Sequence, residues 1–282
     1  MEESYKMLSE SEKMKLFEEN GWFDIDIFND PETIPIKPGE VDYLRKKLSS
    51  KIKTRYANIV GYNYFERLIR KHQIIIKEVE GLEKFDSIKG GLILTCNHFN
   101  PFDNYAVYHV IRKSLKNMGK RDLWKIIREG NYKQWTGLYG LFFKNCNTLP
   151  LAQDHTVMRE FLDATKTLLH NKEKILIYPE QALWPNYKKP RPLKPGAFMI
   201  AVNNNVPVLP IFITMEESEY KDNNNNPINA WSLHFLDPIY PNNSLNKKDA
   251  INEMMNKNYE AYKNIYEKVY NEKLVYTTKE SK

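Results

Sequence analysis

The stretch Gly91-Leu92-Ile93-Leu94-Thr95-Cys96-Asn97-His98-Phe99-Asn100-Pro101-Phe102-Asp103 decides how the fold is read. Its apolar run, 92–94, has the length and composition of a buried strand, and it leads straight into Asn97 and His98. Asp103 follows the histidine by five residues and opens a helical pattern over 104–115. Pro101 suits the first turn of that helix, where a missing N–H costs nothing. A histidine at a strand's end with a carboxylate at the next helix start makes an imidazole that one partner can hold in a single tautomer. Such a ring is a general base at neutral pH.

Outward from this segment the chain alternates. Ile74, Ile75 and Ile76 form a first strand, and strands follow over 123–127, 148–151, 175–178, 206–214 and 230–237. Helical spacing appears over 156–169, with Val157, Phe161, Ala164 and Leu168 on one face, and in a short helix over 196–203. An aromatic, Gly-containing segment spans 135–143, and the Asn-rich tip 223–226 is a loop. The alternation predicts an α/β fold: a central, largely parallel sheet with flanking helices on both faces. Active sites in such sheets lie beyond the carboxyl ends of the strands. His98 and Glu180 each follow a strand and can share one mouth.

Before the sheet, residues 1–20 read as helical, with Tyr5, Leu8, Leu16 and Phe17 as the apolar positions, and 21–40 as an irregular connector. A second helix is predicted from Glu40, with Val41, Leu44, Leu48, Ile52, Tyr56 and Ile59 as its apolar stripe. Its opposite face carries Arg45, Lys46, Lys47, Lys51, Lys53 and Arg55. That face is either a solvated side of a packed helix or the basic side of a helix lying on anionic membrane. A further helical piece covers 64–71. A closing helix over 248–270 carries Ile251, Met255, Tyr259, Tyr262, Tyr266 and Val269 on one stripe. The expected organisation is an N-terminal helical region over 1–72, with a role in membrane-surface attachment, an α/β domain over 73–245, and a C-terminal helix over 246–282 packed on it.

Composition bounds the function. The 282 residues are 41% hydrophobic and 28% charged, ordinary for a globular protein with a substantial core. A net charge of +6 favours anionic partners without choosing among lipid, acidic carrier and nucleic acid. Two cysteines, Cys96 and Cys146, build neither a disulfide framework nor a metal cluster, which points to a reducing compartment. The Glu-, Ser- and Lys-rich start does not read as a secretory signal. The longest apolar runs fall short of the ~20 residues that a spanning helix needs. The expected location is cytoplasmic, peripheral on a membrane face.

Four blocks stand in order: Asn97-His98 with Asp103, then Tyr178-Pro179-Glu180, then Lys194-x-Gly196, then Val206-Pro207-Val208-Leu209-Pro210. Over roughly residues 85–240 this set resembles the glycerolipid acyltransferase superfamily, which includes the 1-acylglycerol-3-phosphate acyltransferases. That family shows Asn-His-x-x-x-x-Asp, a later Phe-Pro-Glu-Gly block and a Pro-containing strand after a Lys-x-Gly turn. Two departures concern the acceptor's phosphate. Asn147-Thr148-Leu149-Pro150-Leu151-Ala152-Gln153 lacks the arginine with which the family's second block usually ends. Gln181 replaces the usual glycine, and Leu183 or Trp184 stands where an arginine often follows. A basic cluster, Lys188, Lys189, Arg191 and Lys194, comes just after. Either Arg191 supplies the planar fork that phosphate recognition favours, or the acceptor is not a phosphate monoester.

The resemblance implies an O-acyltransferase that moves a fatty acyl group from acyl-coenzyme A or acyl-carrier protein to a hydroxyl of a lysophospholipid or glycerolipid-like acceptor. In that reading His98 takes the hydroxyl's proton and Asp103 orients the ring. Glu180 holds acceptor hydroxyls, with Asn97, Gln181, Arg191 and Lys194 also on the substrate. Backbone N–H groups near 101–104 stabilise the oxyanion. No metal, cofactor or nucleic acid is called for. Rival readings use the same residues: Cys96 with His98 as an acyl-enzyme pair, or His98, Asp103 and Glu180 around a metal. A further alternative is a non-catalytic protein that binds a membrane surface or acyl carrier on a decayed acyltransferase fold. His109, His155 and His170 sit in or beside helices and show no evident partner in the sequence.

Overall fold

The computed structural model describes residues 5, 7–28, 33–120 and 122–278. Parts of the expected first helix (1–4 and 6) and of the connector, including Pro31, lie outside the described residues. In chain order the elements are α1 (Glu10–Asn20), α2 (Leu48–Arg70), β1 (Ile75–Glu80), α3 (Leu82–Ser87), β2 (Leu92–Cys96) and α4 (Asp103–Asn117). There follow β3 (Trp124–Arg128), α5 (Glu129–Gln134), α6 (Gly137–Asn145), β4 (Thr148–Leu151), α7 (His155–His170) and β5 (Lys174–Ile177). The chain closes with α8 (Gly196–Asn204), β6 (Val208–Lys221), β7 (Pro227–Phe235) and α9 (Lys247–Tyr270).

The strands form one seven-stranded sheet in the order β1-β7-β6-β2-β5-β3-β4. From β6 to β4 all pairings are parallel; β7 runs antiparallel to β6, and β1 parallel to β7. Every residue of β2 is buried, because helices cover both faces. Leu92, Leu94 and Cys96 enter one core with Phe65, Tyr105 and Ile111; Ile93 enters the other with Phe161, Leu168 and Phe198. That double burial is why the strand reads as a continuous apolar run rather than an alternating one. From β2 the chain steps over β5 to β3, and from β5 it returns to β6 on β2's other side. The carboxyl ends of β2 and β5 are therefore the point where the strand order reverses, the usual place for a ligand crevice.

Several boundaries differ from the sequence reading. The first helix starts at Glu10, after Ser9, whose side chain and Glu12 form a reciprocal capping box. The second starts at Leu48, not Glu40, and runs without a break through the separate piece expected over 64–71. Asp42 accounts for the late start: its carboxylate accepts the N–H groups of Lys46 and Lys47, both at 2.9 Å, in a turn that buries Val41, Tyr43 and Arg45. The face of α2 is also reversed. It buries Thr54, Ala57, Gly61 and Phe65, while Leu48, Ile52, Tyr56 and Ile59 remain 53% to 73% exposed. Close approach explains this, since a Cβ on Gly61 would stand 2.4 Å from the Tyr105 hydroxyl, so small residues must face α4.

In α9 the buried face is rotated to Ala250, Met254, Asn258, Tyr262, Ile265 and Tyr266, leaving Val269 exposed. The Asn-rich tip closes the β6–β7 hairpin, where Asp222 accepts the N–H groups of Asn224 and Asn226. No helix among the described residues is long and apolar enough to cross a membrane.

Candidate active site

Asp103 is the first residue of α4, where the helix's unpaired N–H groups favour a negative charge. Asn100 shapes the approach: its side-chain oxygen accepts the Phe102 N–H at 3.0 Å and its carbonyl the Asp103 N–H at 3.2 Å. The turn returns Asp103 beneath His98. His98 Nδ1 lies 2.8 Å from Asp103 Oδ2, which also accepts the N–H groups of Phe99 and Asn100, both at 3.3 Å. Tyr178, just past β5, donates its hydroxyl to Asp103 Oδ1 at 2.5 Å and stacks its ring on His98 with centroids 3.9 Å apart. The carboxylate is fully buried and the imidazole 19% exposed. With Nδ1–H committed to Asp103, the lone pair of a neutral ring is on Nε2.

Burial, and then the Asp103 charge, push the Tyr178 phenol well above its ordinary pKa, so it stays a donor. Nothing in the pattern of apolar runs reveals this third member. Its signal lies in the Tyr-Pro-Glu block, where a hydroxyl stands on the ring that the resembled family has as phenylalanine.

The other expected site residues divide into two groups. Glu180 and Arg191 are both buried and face each other, not the mouth, which corrects their expected roles on the acceptor. Glu180 accepts the His98 N–H at 3.2 Å, the Arg191 N–H at 3.0 Å and the Arg191 guanidinium at 2.8 Å. Arg191 also donates to the carbonyls of Phe23, His98 and Ala182 at 3.0, 3.2 and 2.5 Å. Its fork is committed to holding the main chain around His98. Asn97 is likewise internal: it donates to the Ile213 carbonyl at 3.0 Å and accepts the Ile213 N–H at 2.8 Å, clamping β6 beyond its pairing with β2.

Gln181 and Lys194 remain at the surface of the mouth. Gln181 has φ 66°, the left-handed conformation that explains a glycine at this position in related blocks. Lys194 donates its N–H to the Pro179 carbonyl at 2.8 Å and its ammonium to Asp24 at 2.7 Å. The amides expected to face an oxyanion are largely spent on the Asn100 turn.

The rival chemistries lose their footing. Cys96 is fully buried, its thiol pushed well up by burial, with Sγ turned toward the Asn97 side chain at 3.7 Å. A thiol so placed is not a thiolate at neutral pH. No group of three or more metal-ligating side chains stands together among the described residues. His109, expected to lack a partner, has Nδ1 2.6 Å from Glu66 and ties α4 to α2.

The segment 22–27 is tied to the loop after β5 and to the end of β3. Its main chain is held by Arg191 at Phe23 and by the Trp184 indole, which donates to the Ile25 carbonyl at 2.9 Å. Asp26 accepts the Leu183 N–H at 2.7 Å and pairs with Arg128 at 2.5 Å. Arg128 ends β3, the strand beside β5.

Residues 76–214 match the model of the family described as Acyltransferase. No curated protein matches the sequence. Among solved structures, the 1-acyl-sn-glycerophosphate (LPA) acyltransferase PlsC from Thermotoga maritima aligns over 77% of this chain and 84% of its own, with 17% identity and a TM-score of 0.45. A likeness of that degree says nothing of the acceptor. The segment that matches the acyltransferase family contains β2, the His98–Asp103 pair, the Glu180 turn and most of the buried part of β6, so the part of this chain that carries the site is the part similar to that family.

Proposed function

We propose that the chain moves a fatty acyl group from a thioester, acyl-coenzyme A or acyl-carrier protein, to a hydroxyl of a lysophospholipid or glycerolipid-like acceptor at an anionic membrane face. The observation that carries this reading is the His98–Asp103 contact of 2.8 Å at the carboxyl end of β2, within the segment that matches the acyltransferase family. His98 Nε2 accepts the proton of the acceptor hydroxyl as its oxygen attacks the thioester carbonyl. Asp103 stabilises the imidazolium so formed, and the tetrahedral intermediate collapses with cleavage of the C–S bond. The imidazolium returns the proton to the departing thiolate. General-base assistance of this kind is worth ~10²–10⁴ in rate. The reaction is a direct transfer and uses no resident cofactor.

Membrane attachment falls to α2, whose exposed stripe Leu48, Ile52, Tyr56 and Ile59 is accompanied by exposed Lys46, Lys47, Lys51, Lys53 and Arg55. An apolar stripe bordered by cations suits a helix lying in an anionic interface. The proposed location is accordingly peripheral, on the cytoplasmic face of a membrane.

The test is product analysis. Incubated with an acyl thioester and a lysophospholipid, the protein should release one thiol per acylated acceptor, and the intact chain should gain no acyl mass. Thiol release that needs no acceptor, or an acylated chain, would refute direct transfer.

A further inference from the structure

Most cations of the loops that follow β2, β3, β4 and β5 are already paired with the chain's own carboxylates, and this bears on which acceptor the site takes. Five cations stand at or between the ends of β2, β3, β4 and β5 and the helices that follow these strands: Arg128, Lys188, Lys189, Arg191 and Lys194. Four are in ion pairs: Arg128 with Asp26 at 2.5 Å, Lys189 with Glu18 at 2.7 Å, Arg191 with Glu180 at 2.8 Å and Lys194 with Asp24 at 2.7 Å. The fifth, Lys188, turns away and lies over the Tyr270 ring at 5.4 Å. The loop after β4, 152–154, carries no cation.

Two of these pairs stand at the ends of β5 and β3, the strands next in line from β2. Thr95 of β2 and Trp124 of β3 each stand beside β5, at Ile177 and Ile175 respectively, so the ends of the three strands lie in line from His98 through Pro179 to Arg128. Lys194 is bonded to Pro179 itself. Asp24 and Asp26 reach these two cations from one segment whose main chain is held at Phe23 and Ile25.

We infer that the acceptor carries no phosphate monoester and is instead a glycerolipid of neutral or zwitterionic headgroup. This rests on the acyl-transfer reading of the same site. A phosphate monoester is close to a dianion at neutral pH and is recognised by cations with uncompensated charge. Exposed ion pairs are weak, worth about 1 kcal/mol or less, so a ligand can exchange into one. Exchange here would leave the displaced carboxylates beside the phosphate, because the segment that carries them is pinned. Asp26 is 13% exposed and its second oxygen holds the Leu183 N–H, so it does not swing clear. The Lys194 ammonium holds the Asp24 carboxyl below the usual carboxylate range, keeping it charged at neutral pH.

The experiment compares kcat/KM for three acceptors with one acyl thioester: a monoacylglycerol, a lysophosphatidylcholine and a 1-acylglycerol-3-phosphate. The wild-type chain should favour the first two over the phosphate monoester by about tenfold or more, the factor that corresponds to 1.4 kcal/mol. In the double variant Asp24→Asn/Asp26→Asn, the asparagine oxygen still accepts the Leu183 N–H while both carboxylate charges are removed. The ratio should then move toward the phosphate acceptor by about tenfold. A wild-type preference for the phosphate acceptor, or an unmoved ratio in the double variant, would overturn the inference. Turnover with none of the three would instead overturn the acyl-transfer reading itself, and the inference with it.

Discussion

Asp103 receives four hydrogen bonds at full burial, from His98, Tyr178 and the N–H groups of Phe99 and Asn100. A carboxylate so surrounded cannot leave its post, and it fixes His98 in one tautomer. The Tyr178 hydroxyl shares the charge that Asp103 offers to the imidazolium. In Tyr178→Phe the stacked ring and the His98 contact with Asp103 remain, so the loss in kcat/KM should stay below about tenfold, whereas Asp103→Asn, which removes the charge beneath the imidazolium, should cost more. A loss in Tyr178→Phe as large as that in Asp103→Asn would contradict this role for Tyr178. His98 and Asp103 were legible in the sequence because five-residue spacing across a strand-to-helix turn leaves few geometries. Glu180 and Arg191 were legible as a block but not as a mutual pair. Their directions depend on how residues 181–190 fold back, which local patterning does not encode.

At the scale of elements, apolar runs identified the strands because both sheet faces are covered, and boundaries slipped where a side chain decided them, as Asp42 does before α2. The face of α2 could not be read from periodicity. Its aliphatic stripe and its small-residue stripe share the same helical repeat, and only the close approach of Tyr105 to Gly61 selects the second. The exposed stripe yields a prediction. Leu48→Ser/Ile52→Ser removes two exposed aliphatic side chains, each worth about 1.5–3 kcal/mol when buried. Binding to anionic vesicles should weaken by at least tenfold, while the thermal midpoint stays within about 2 °C. A thermal midpoint that falls with vesicle binding unchanged would show that the stripe packs on this chain instead.

For the whole molecule, long-range ties join the N-terminal segment to the site: Arg191 to Phe23, Trp184 to Ile25 and Asp26 to Arg128. None has a local sequence signature, since each depends on strand order. At the opposite pole of the sheet, Lys174 begins β5 fully buried, with its nitrogen on the carbonyls of Ile88 and Gly90. Burial pushes its pKa down to about 8 from an ordinary value of 10.5. Between those values the unfolded chain binds the proton and the folded chain does not, so this group's contribution to stability rises with pH across that window. Relative to Lys174→Met, the wild type should gain about 2 kcal/mol between pH 7.5 and 9.5, measured by urea unfolding. A difference that is constant, or that shrinks, would contradict the shift.

The central claim, that His98 is the base of a direct acyl transfer, is tested most directly by the rate of acceptor-dependent thiol release in His98→Asn, with the acceptor saturating. A folded variant should be slower than wild type by a factor of about 10² to 10⁴. A rate within a few-fold of wild type would contradict it.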